Sequence, residues 1–223
     1  MAKTTAKSVL ITGSSGYIGS LLVDALVARS DELATIVAFD MRLPPSSQRH
    51  AAVTYVQGDI RETTIDEILA QHPVDIVVHL ASVVNPGRNG GRDWQYAVDV
   101  LGTRNVLDAC LARGVEKLIV TSSGAAYGYH ADNPERLLES DPLRGNQEFA
   151  YAHHKRIVEE MLAEYRRDHP QLQQLIFRVC TVLGASVHNQ ITDLFEKPVL
   201  MGLQHAQTPF VFIWDADVVA CLV

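Results

Sequence analysis

The sequence predicts an α/β fold: a doubly wound parallel sheet covered by helices on both faces, with a short C-terminal portion appended. Two observations carry this expectation. Apolar runs of strand length alternate with helical patterns along most of the chain, the signature of parallel strands joined by helical crossovers. The first of these passages, Val9-Leu10-Ile11-Thr12-Gly13-Ser14-Ser15-Gly16-Tyr17-Ile18-Gly19, leaves a strand through three glycines spaced by three and enters a helix.

The expected strands are 8–12, 35–40, 53–57, 75–80, 116–121 and 174–179. The expected helices are 17–29, 62–71, about 92–113 and 149–168. Right-handed crossovers then give the strand order 3-2-1-4-5-6. Pro44-Pro45-Ser46-Ser47 reads as a loop after the second strand. Asn85 to Arg92 reads as a flexible loop after the fourth. Residues 128–147, with Pro134 and Pro142, read as a long surface excursion. Residues 1–180 are assigned to the main domain and 181–223 to a partial substrate-binding region.

Composition narrows the function classes. The chain has 223 residues, 47% of them apolar, enough for a sizeable core. A formal net charge of −7 and no basic cluster beyond Arg166-Arg167 argue against nucleic acid as a partner. Cys110, Cys180 and Cys221 are too few and too scattered for a disulfide framework or a zinc site, and no metal is expected. Each lies in an apolar segment and is expected to be a small buried hydrophobe. The N-terminus lacks the apolar core of a signal peptide, and no run reaches the roughly 18 residues of a membrane helix. A cytoplasmic setting without membrane contact is the expectation.

The glycine turn suits a pyrophosphate. Gly13 lets the chain turn off the strand, Gly16 lets an anion approach the backbone, and Gly19 lets the helix pack close to the sheet. The helix start at Ser15, Tyr17 and Ile18 offers free N–H groups. Asp40 closes the second strand, where a carboxylate accepts from both ribose hydroxyls of an adenosine and repels a 2′-phosphate. NAD rather than NADP follows as the expected cofactor. The other strand ends also carry small or hydrogen-bonding residues: Gly58-Asp59-Ile60, His79-Leu80-Ala81-Ser82 and Thr121-Ser122-Ser123.

Tyr151 and Lys155 share a helix face because they are four residues apart. Val158, Leu162 and Tyr165 continue that face. A phenol ordinarily titrates near 10, and a neighbouring ammonium favours its anion, so this pair is a candidate proton acceptor and donor. Ser123 is placed to hydrogen-bond the same substrate oxygen. His153 and His154, between them, are expected to face solvent. His130, Asp132, Asn85 and Arg88 are candidates for touching a substrate.

At these residues the sequence resembles the extended short-chain dehydrogenase/reductases, in the NAD-dependent epimerase/dehydratase group. The matching motifs are Thr12-Gly13-x-x-Gly16-x-x-Gly19, Gly58-Asp59-Ile60, His79-Leu80-Ala81, Gly102-Thr103-x-Asn105-Val106-Leu107, Ser122-Ser123-x-x-x-Tyr127-Gly128 and Tyr151-x-x-x-Lys155. They fall in the family's order over residues 8 to 184. The resemblance implies a Rossmann fold and a catalytic set of Ser123, Tyr151 and Lys155. It implies that Asp59 and Ile60 hold the adenine, and that Leu80, Ala81 and Ser82 line the cofactor. Asn85, just past the fourth strand, Ser123 and Thr181 are the candidate substrate-binding residues.

Three departures from the family pattern stand out. Asp99 replaces the Asn that commonly precedes Val-x-Gly-Thr. Ser123-Gly124-Ala125 replaces the Thr-Asp-Glu of members that dehydrate sugars. Thr181 replaces an Asn that often helps hold a nucleotide-sugar. The expected reaction is epimerisation of a sugar or nucleotide-sugar hydroxyl through a transient keto intermediate. A simple dehydrogenase or reductase is the alternative, and a silent dinucleotide-sensing domain the second alternative. The resemblance also implies a homodimer through helices 92–113 and 149–168, with Val100, Leu107, Leu111 and Met161 available to core or interface. Family members are longer, so the pocket is expected to be incomplete. Pro209 to Ala220 resembles the strand and helix start that return to the main sheet, and Val218, Val219 and Leu222 are expected to lack a partner.

Overall fold

The computed structural model describes residues 6–84, 87, 90–189, 191–199 and 210–223. Six parallel strands form the main sheet: β1 (Lys7–Thr12), β2 (Leu33–Asp40), β3 (Val53–Gln57), β4 (Ile76–His79), β5 (Lys117–Ser123) and β6 (Gln173–Val179), in the order β3-β2-β1-β4-β5-β6. The doubly wound order expected from the crossovers is the one observed. The crossover helices are α1 (Tyr17–Val27), α2 (Thr64–Gln71) and α5 (Ala150–Asp168), and a continuous helical run joins β4 to β5.

Side-chain alternation explains the layering. Along β1, Leu10 points to one face and Val9 and Ile11 to the other. The Leu10 face takes Val37, Phe39 and Val77 and is covered by Ile65 and Leu69 of α2, Leu107, Val158 and Leu162. The Val9 face takes Ile36, Ala38, Val78 and Ile119 and is covered by Leu22, Val23 and Leu26 of α1. Both faces of every central strand are therefore buried, which is why these strands read as continuous apolar runs.

The helical run after β4 is not uniform. It comprises α3 (Arg92–Tyr96), a π-helical turn (Ala97–Gly102) and α4 (Thr103–Arg113). Two local contacts favour the wider turn. Thr103 Oγ1 donates to the Asp99 carbonyl at 2.6 Å, and Gly102 lets Ile60 lie against the backbone, where a Cβ would meet Ile60 Cδ1 at 2.6 Å. Such turns recur at functional sites, and this one carries Asp99.

A second, two-stranded parallel sheet pairs β7 (Thr181–Leu183) with β8 (Phe212–Trp214). Helix α6 (Thr192–Phe195) lies between them in sequence, and α7 (Asp215–Leu222) follows. Here the structure corrects one expectation. Val218, Val219 and Leu222 do not lack a partner: they are 4%, 9% and 5% exposed and join the Val9 face beside α1. Pro209 lies outside the described residues. Val100, Leu107 and Met161 are buried in this chain's own core, and only Leu111 of that group remains partly exposed. Among the described residues no helix is long and apolar enough to cross a membrane.

The cysteine expectation holds for one residue of three. Cys110 is buried, and burial pushes its thiol up to about 12. Cys180 and Cys221 are exposed, because they sit just past β6 and at the open end of α7 rather than inside the sheet sandwich.

Candidate active site

The site assembles along the carboxyl edge of the sheet. Parallel strands end on the same side, so Thr12, Asp40, His79 and Ser123 all arrive at one rim. Adjacent register places Thr12 beside His79 and His79 beside Val120.

At the β1 end, Gly13 has φ +70, a left-handed conformation that a side chain resists, and a Cβ there would meet Ala81 N at 2.6 Å. A Cβ on Gly19 would strike the Gly13 carbonyl oxygen. The two glycines thus bring α1, the turn and the segment after β4 into backbone contact. Gly16 caps α1 in an extended conformation. No acidic side chain lies in the first turn of α1, leaving its N–H groups and partial positive charge to an anion. Ser15 N donates to Asp40 Oδ2 at 3.0 Å, and Arg42 N donates to Asp40 Oδ1 at 2.9 Å. Asp40 is therefore fixed at the mouth of the turn. Ile18 packs inward on the Val9 face. Tyr17 faces the other way, and its hydroxyl donates to Asp215 Oδ2 at 2.5 Å.

Asp59 and Ile60 sit beyond β3. Arg61 donates to Asp59 Oδ2 from Nε at 2.8 Å and Nη2 at 2.5 Å, and its backbone N donates to Oδ1 at 2.9 Å. The guanidinium holds the Asp59 carboxyl below the usual carboxylate range. Ile60 is 4% exposed and lies against the π-helical turn.

After β4, Leu80 N donates to the Thr12 carbonyl at 3.1 Å, and Ala81 N reaches Thr12 Oγ1 at 3.4 Å. His79 is wedged between two hydroxyls, Thr12 Oγ1 at 2.7 Å from Nδ1 and Thr103 Oγ1 at 2.9 Å from Nε2. Its burial lowers the imidazole to about 3, with the Lys155 charge adding to the effect and Asp99 opposing it. His79 is a neutral hydrogen-bonding strut at physiological pH.

The catalytic candidates stand on β5 and α5. Ser123 ends β5, and its Oγ accepts from Ala125 N at 3.1 Å. Lys155 is 6% exposed and donates from Nζ to the Thr121 carbonyl at 3.1 Å. The same ammonium lies 5.7 Å from the centroid of the Tyr151 ring. Helix α5 packs Val158 and Leu162 into the core, which fixes the rotation that presents Tyr151 and Lys155 to the rim. A small cavity of about 10 Å³ opens between Lys155, Asp99, Ser82, His79 and Thr103, room for about one water.

Two groups outside the expected site lie beside this set. Glu159 is 5% exposed; Ser122 Oγ donates to it at 2.5 Å, and Arg178 grips it at 2.8 and 3.0 Å. Arg178 also reaches the Tyr127 hydroxyl and the Glu139 carbonyl, tying the excursion to β6. The second group is His154. The expectation that it faces solvent is wrong: it is 0% exposed, turned against Tyr96 with ring centroids 5.5 Å apart. Its spacing of four from Val158 is the available signal, since that interval places both on one helix face. His153 is only partly buried.

The remaining candidates fall as follows. Thr181 opens β7 immediately past β6 and pairs in register with Phe212. His130 is occupied by the Arg144 carbonyl at 2.7 Å, and Asp132 by Arg144 at 2.9 Å, so both brace the excursion itself. Asn85 and Arg88 lie outside the described residues. Among the described residues no group of three or more His, Cys, Asp or Glu side chains is placed to hold a metal ion.

Comparison with known proteins gives a consistent picture. The model of the NAD dependent epimerase/dehydratase family matches residues 9–215. A UDP-glucose 4-epimerase of Yersinia pestis is 32% identical over 184 residues, which cover 79% of this chain and 54% of that protein. A UDP-glucose 4-epimerase of Erwinia amylovora is 27% identical over 193 residues, covering 83% and 56%. The chain spans about half the length of these curated relatives. Among solved structures, the UDP-glucose 4-epimerase of Thermus thermophilus in complex with NAD superimposes with a TM-score of 0.77 at 25% identity, covering 96% of this chain and 73% of that one. MoeE5 in complex with UDP-glucuronic acid and NAD gives a TM-score of 0.79 at 27% identity, covering 96% and 70%. The glycine turn, the strand-end carboxylate and the shared face of Tyr151 and buried Lys155, together with a match along almost the whole chain, establish that this protein belongs to the NAD dependent epimerase/dehydratase family.

Proposed function

We propose that the chain carries the NAD site and the catalytic centre of an epimerase acting on a hydroxyl of a sugar or nucleotide-sugar. The observation that supports it most directly is Lys155, buried at the rim, anchored on Thr121 and held against the Tyr151 ring. The cradle suits a dinucleotide: Gly13, Ser15, Gly16, Tyr17, Ile18 and Gly19 would receive the pyrophosphate, and Asp40 the ribose. Asp59 and Ile60 would border the adenine, and Leu80, Ala81 and Ser82 would line the cofactor. Bound NAD supplies a reversible hydride acceptor.

Tyr151 as phenolate takes the proton of the substrate hydroxyl, and returns it when the carbonyl is reduced from the other face. Lys155 stabilises the phenolate by charge. Ser123 donates to the substrate oxygen as it becomes a ketone, and so holds it in line with Tyr151. Tyr151 gives back the proton it took, and a cofactor that accepted and returned the hydride would leave the cycle redox-neutral and need not dissociate. Thr181, just past β6, borders the substrate side in this reading. Nucleotide-sugars such as UDP-glucose are the first substrates to assay, given the names of the relatives. A homodimer through the helical run 92–113 and α5 belongs to the same reading, as does a cytoplasmic setting.

The test combines cofactor retention with one substitution. The wild-type protein, incubated with NAD and UDP-glucose, is expected to form the C4 epimer and to keep NAD through dialysis. Tyr151→Phe is expected to bind NAD within about threefold of wild type and to lose about 10²–10⁴ in kcat. Turnover of the variant at wild-type rate would remove Tyr151 from the mechanism. Release of reduced cofactor with a ketone product would favour the dehydrogenase reading.

A further inference from the structure

Asp99 and His154 are unused by the mechanism, yet they are among the most deeply buried ionisable side chains described. Asp99 is 2% exposed and His154 0%. Asp99 Oδ1 accepts from Ser82 Oγ and from Val83 N, both at 2.9 Å. Its Oδ2 has no hydrogen-bond partner, and neither do the two ring nitrogens of His154. These orphaned atoms face each other: His154 Nδ1 lies 3.8 Å from Asp99 Oδ2. A buried carboxylate oxygen without a donor is costly, and so is a buried imidazole N–H without an acceptor. A proton on Nδ1 lessens both costs, because across 3.8 Å it turns a donor toward the acceptor that lacks one.

The couple sits where it can act on the site. Asp99 holds the two residues that follow Ala81 at the cofactor rim. It also lines the small cavity that Lys155 lines from the opposite side. His79 responds to both charges, which places them in one desolvated volume. The titratable groups around the couple are Lys155 and His79 on the Asp99 side, and Tyr96 of α3 and His153 of α5 on the His154 side, with ring centroids 5.5 and 6.1 Å from that of His154. Glu159, one turn along α5, is already neutralised by Arg178.

We propose that Asp99 and His154 form a buried carboxylate–imidazole couple, with the His154 proton on Nδ1 directed at Asp99 Oδ2, that makes Asp99 a positioning residue clamping Ser82 and Val83 at the cofactor rim opposite Lys155. This rests on reading that rim as the NAD site. The family's usual Asn at this position would have the same size and could still accept from Ser82 and Val83, but it would turn an amide N–H₂ toward His154. His154 would then present a lone pair at Nδ1 and carry its proton on Nε2. Carboxylate and amide therefore demand opposite tautomers of the same ring.

The full chain labelled with ¹⁵N-histidine tests this. Long-range ¹H–¹⁵N spectra without NAD read the tautomer, and His154→Gln assigns the signal. Wild type is expected to show Nδ1 protonated, and Asp99→Asn to show the Nε2–H form. Calorimetry with NAD tests the clamp: Asp99→Ala is expected to weaken binding about tenfold, and Asp99→Asn to restore it to within about threefold of wild type. An Nε2–H tautomer in wild type, unchanged in Asp99→Asn, would overturn the couple. Wild-type NAD affinity in Asp99→Ala would overturn the clamp. A wild-type chain that binds no NAD would overturn the proposed function instead, leaving the ligand-free spectra to decide the couple.

Discussion

Two buried carboxylates flank Lys155, and they are treated in opposite ways. Glu159, one turn further along α5, receives Ser122 and a forked Arg178, so both its oxygens are paired. Asp99, on the π-helical turn, has one oxygen doubly hydrogen-bonded and the other facing an imidazole at 3.8 Å. The first arrangement locks structure: it joins β5, β6, α5 and the excursion through one ion pair. The second leaves polar capacity unspent at the carboxyl rim of the sheet. A fully satisfied buried network rigidifies, whereas a partly satisfied one persists where the surrounding fold over-determines it and function uses it.

The contrast breaks first at Glu159. Glu159→Ala leaves Arg178 without its counter-ion, and loss of one partner of a buried pair costs about 3–5 kcal/mol. For a chain of this size that lowers the melting temperature by very roughly 6–20 °C, readable by calorimetry. A change under about 2 °C would show that Tyr127 and Glu139 suffice to hold Arg178.

The next largest effect is a pH dependence that belongs to the Asp99 side. His79 is neutral in the fold because burial lowers it to about 3, whereas an unfolded histidine titrates near 6.5. The unfolded chain therefore binds the extra proton first as pH falls. Stability is lost progressively from about pH 6.5 down to about pH 3, by about 2 kcal/mol at pH 5. Denaturant melts at pH 7 and pH 5 on wild type and His79→Asn should show this slope in wild type and its reduction in the variant. Equal slopes would mean that His79 is protonated in place.

The smallest effect sharpens the comparison most. Asp99→Ala removes an acceptor from Ser82 and Val83 but also removes a carboxylate that is expensive to bury, so the net cost should be about 1 kcal/mol. The ranking of Glu159→Ala well above Asp99→Ala is the expected result of urea titrations on both. The reverse order would place the structural ion pair at Asp99.

Much of this architecture is legible in the sequence because it is local or periodic. The strand, glycine turn and helix of residues 9–19 are contiguous, and Tyr151 and Lys155 declare a common face by their spacing. The parts that are not legible depend on which helix face meets which neighbour. His154 reads as a surface residue because its polarity outweighs its spacing of four from Val158, yet Tyr96 and the π-helical turn roof it over. That turn is invisible to apolar pattern, since it adds a residue per turn without changing composition. Glu159 and Arg178 are nineteen residues apart and meet only because α5 and β6 run antiparallel across the sheet edge. The three-residue strands β7 and β8 are too short for period-two patterning, and they find each other across about thirty residues.

The bond from Tyr17 to Asp215 spans 198 positions and ties the first helix of the cradle to the last helix described. Its consequence lies in the order of events during synthesis. Ribosomes add about 5–20 residues each second, so the phenol of Tyr17 waits about 10–40 s for its acceptor to be made. Until then the Val9 face of the sheet lacks Val218, Val219 and Leu222, and the nascent sheet presents that uncovered apolar surface to whatever first meets it. The seal on the cradle thus forms well after the glycine turn it closes, and chaperone occupancy during translation should persist at least until residue 222 has left the exit tunnel.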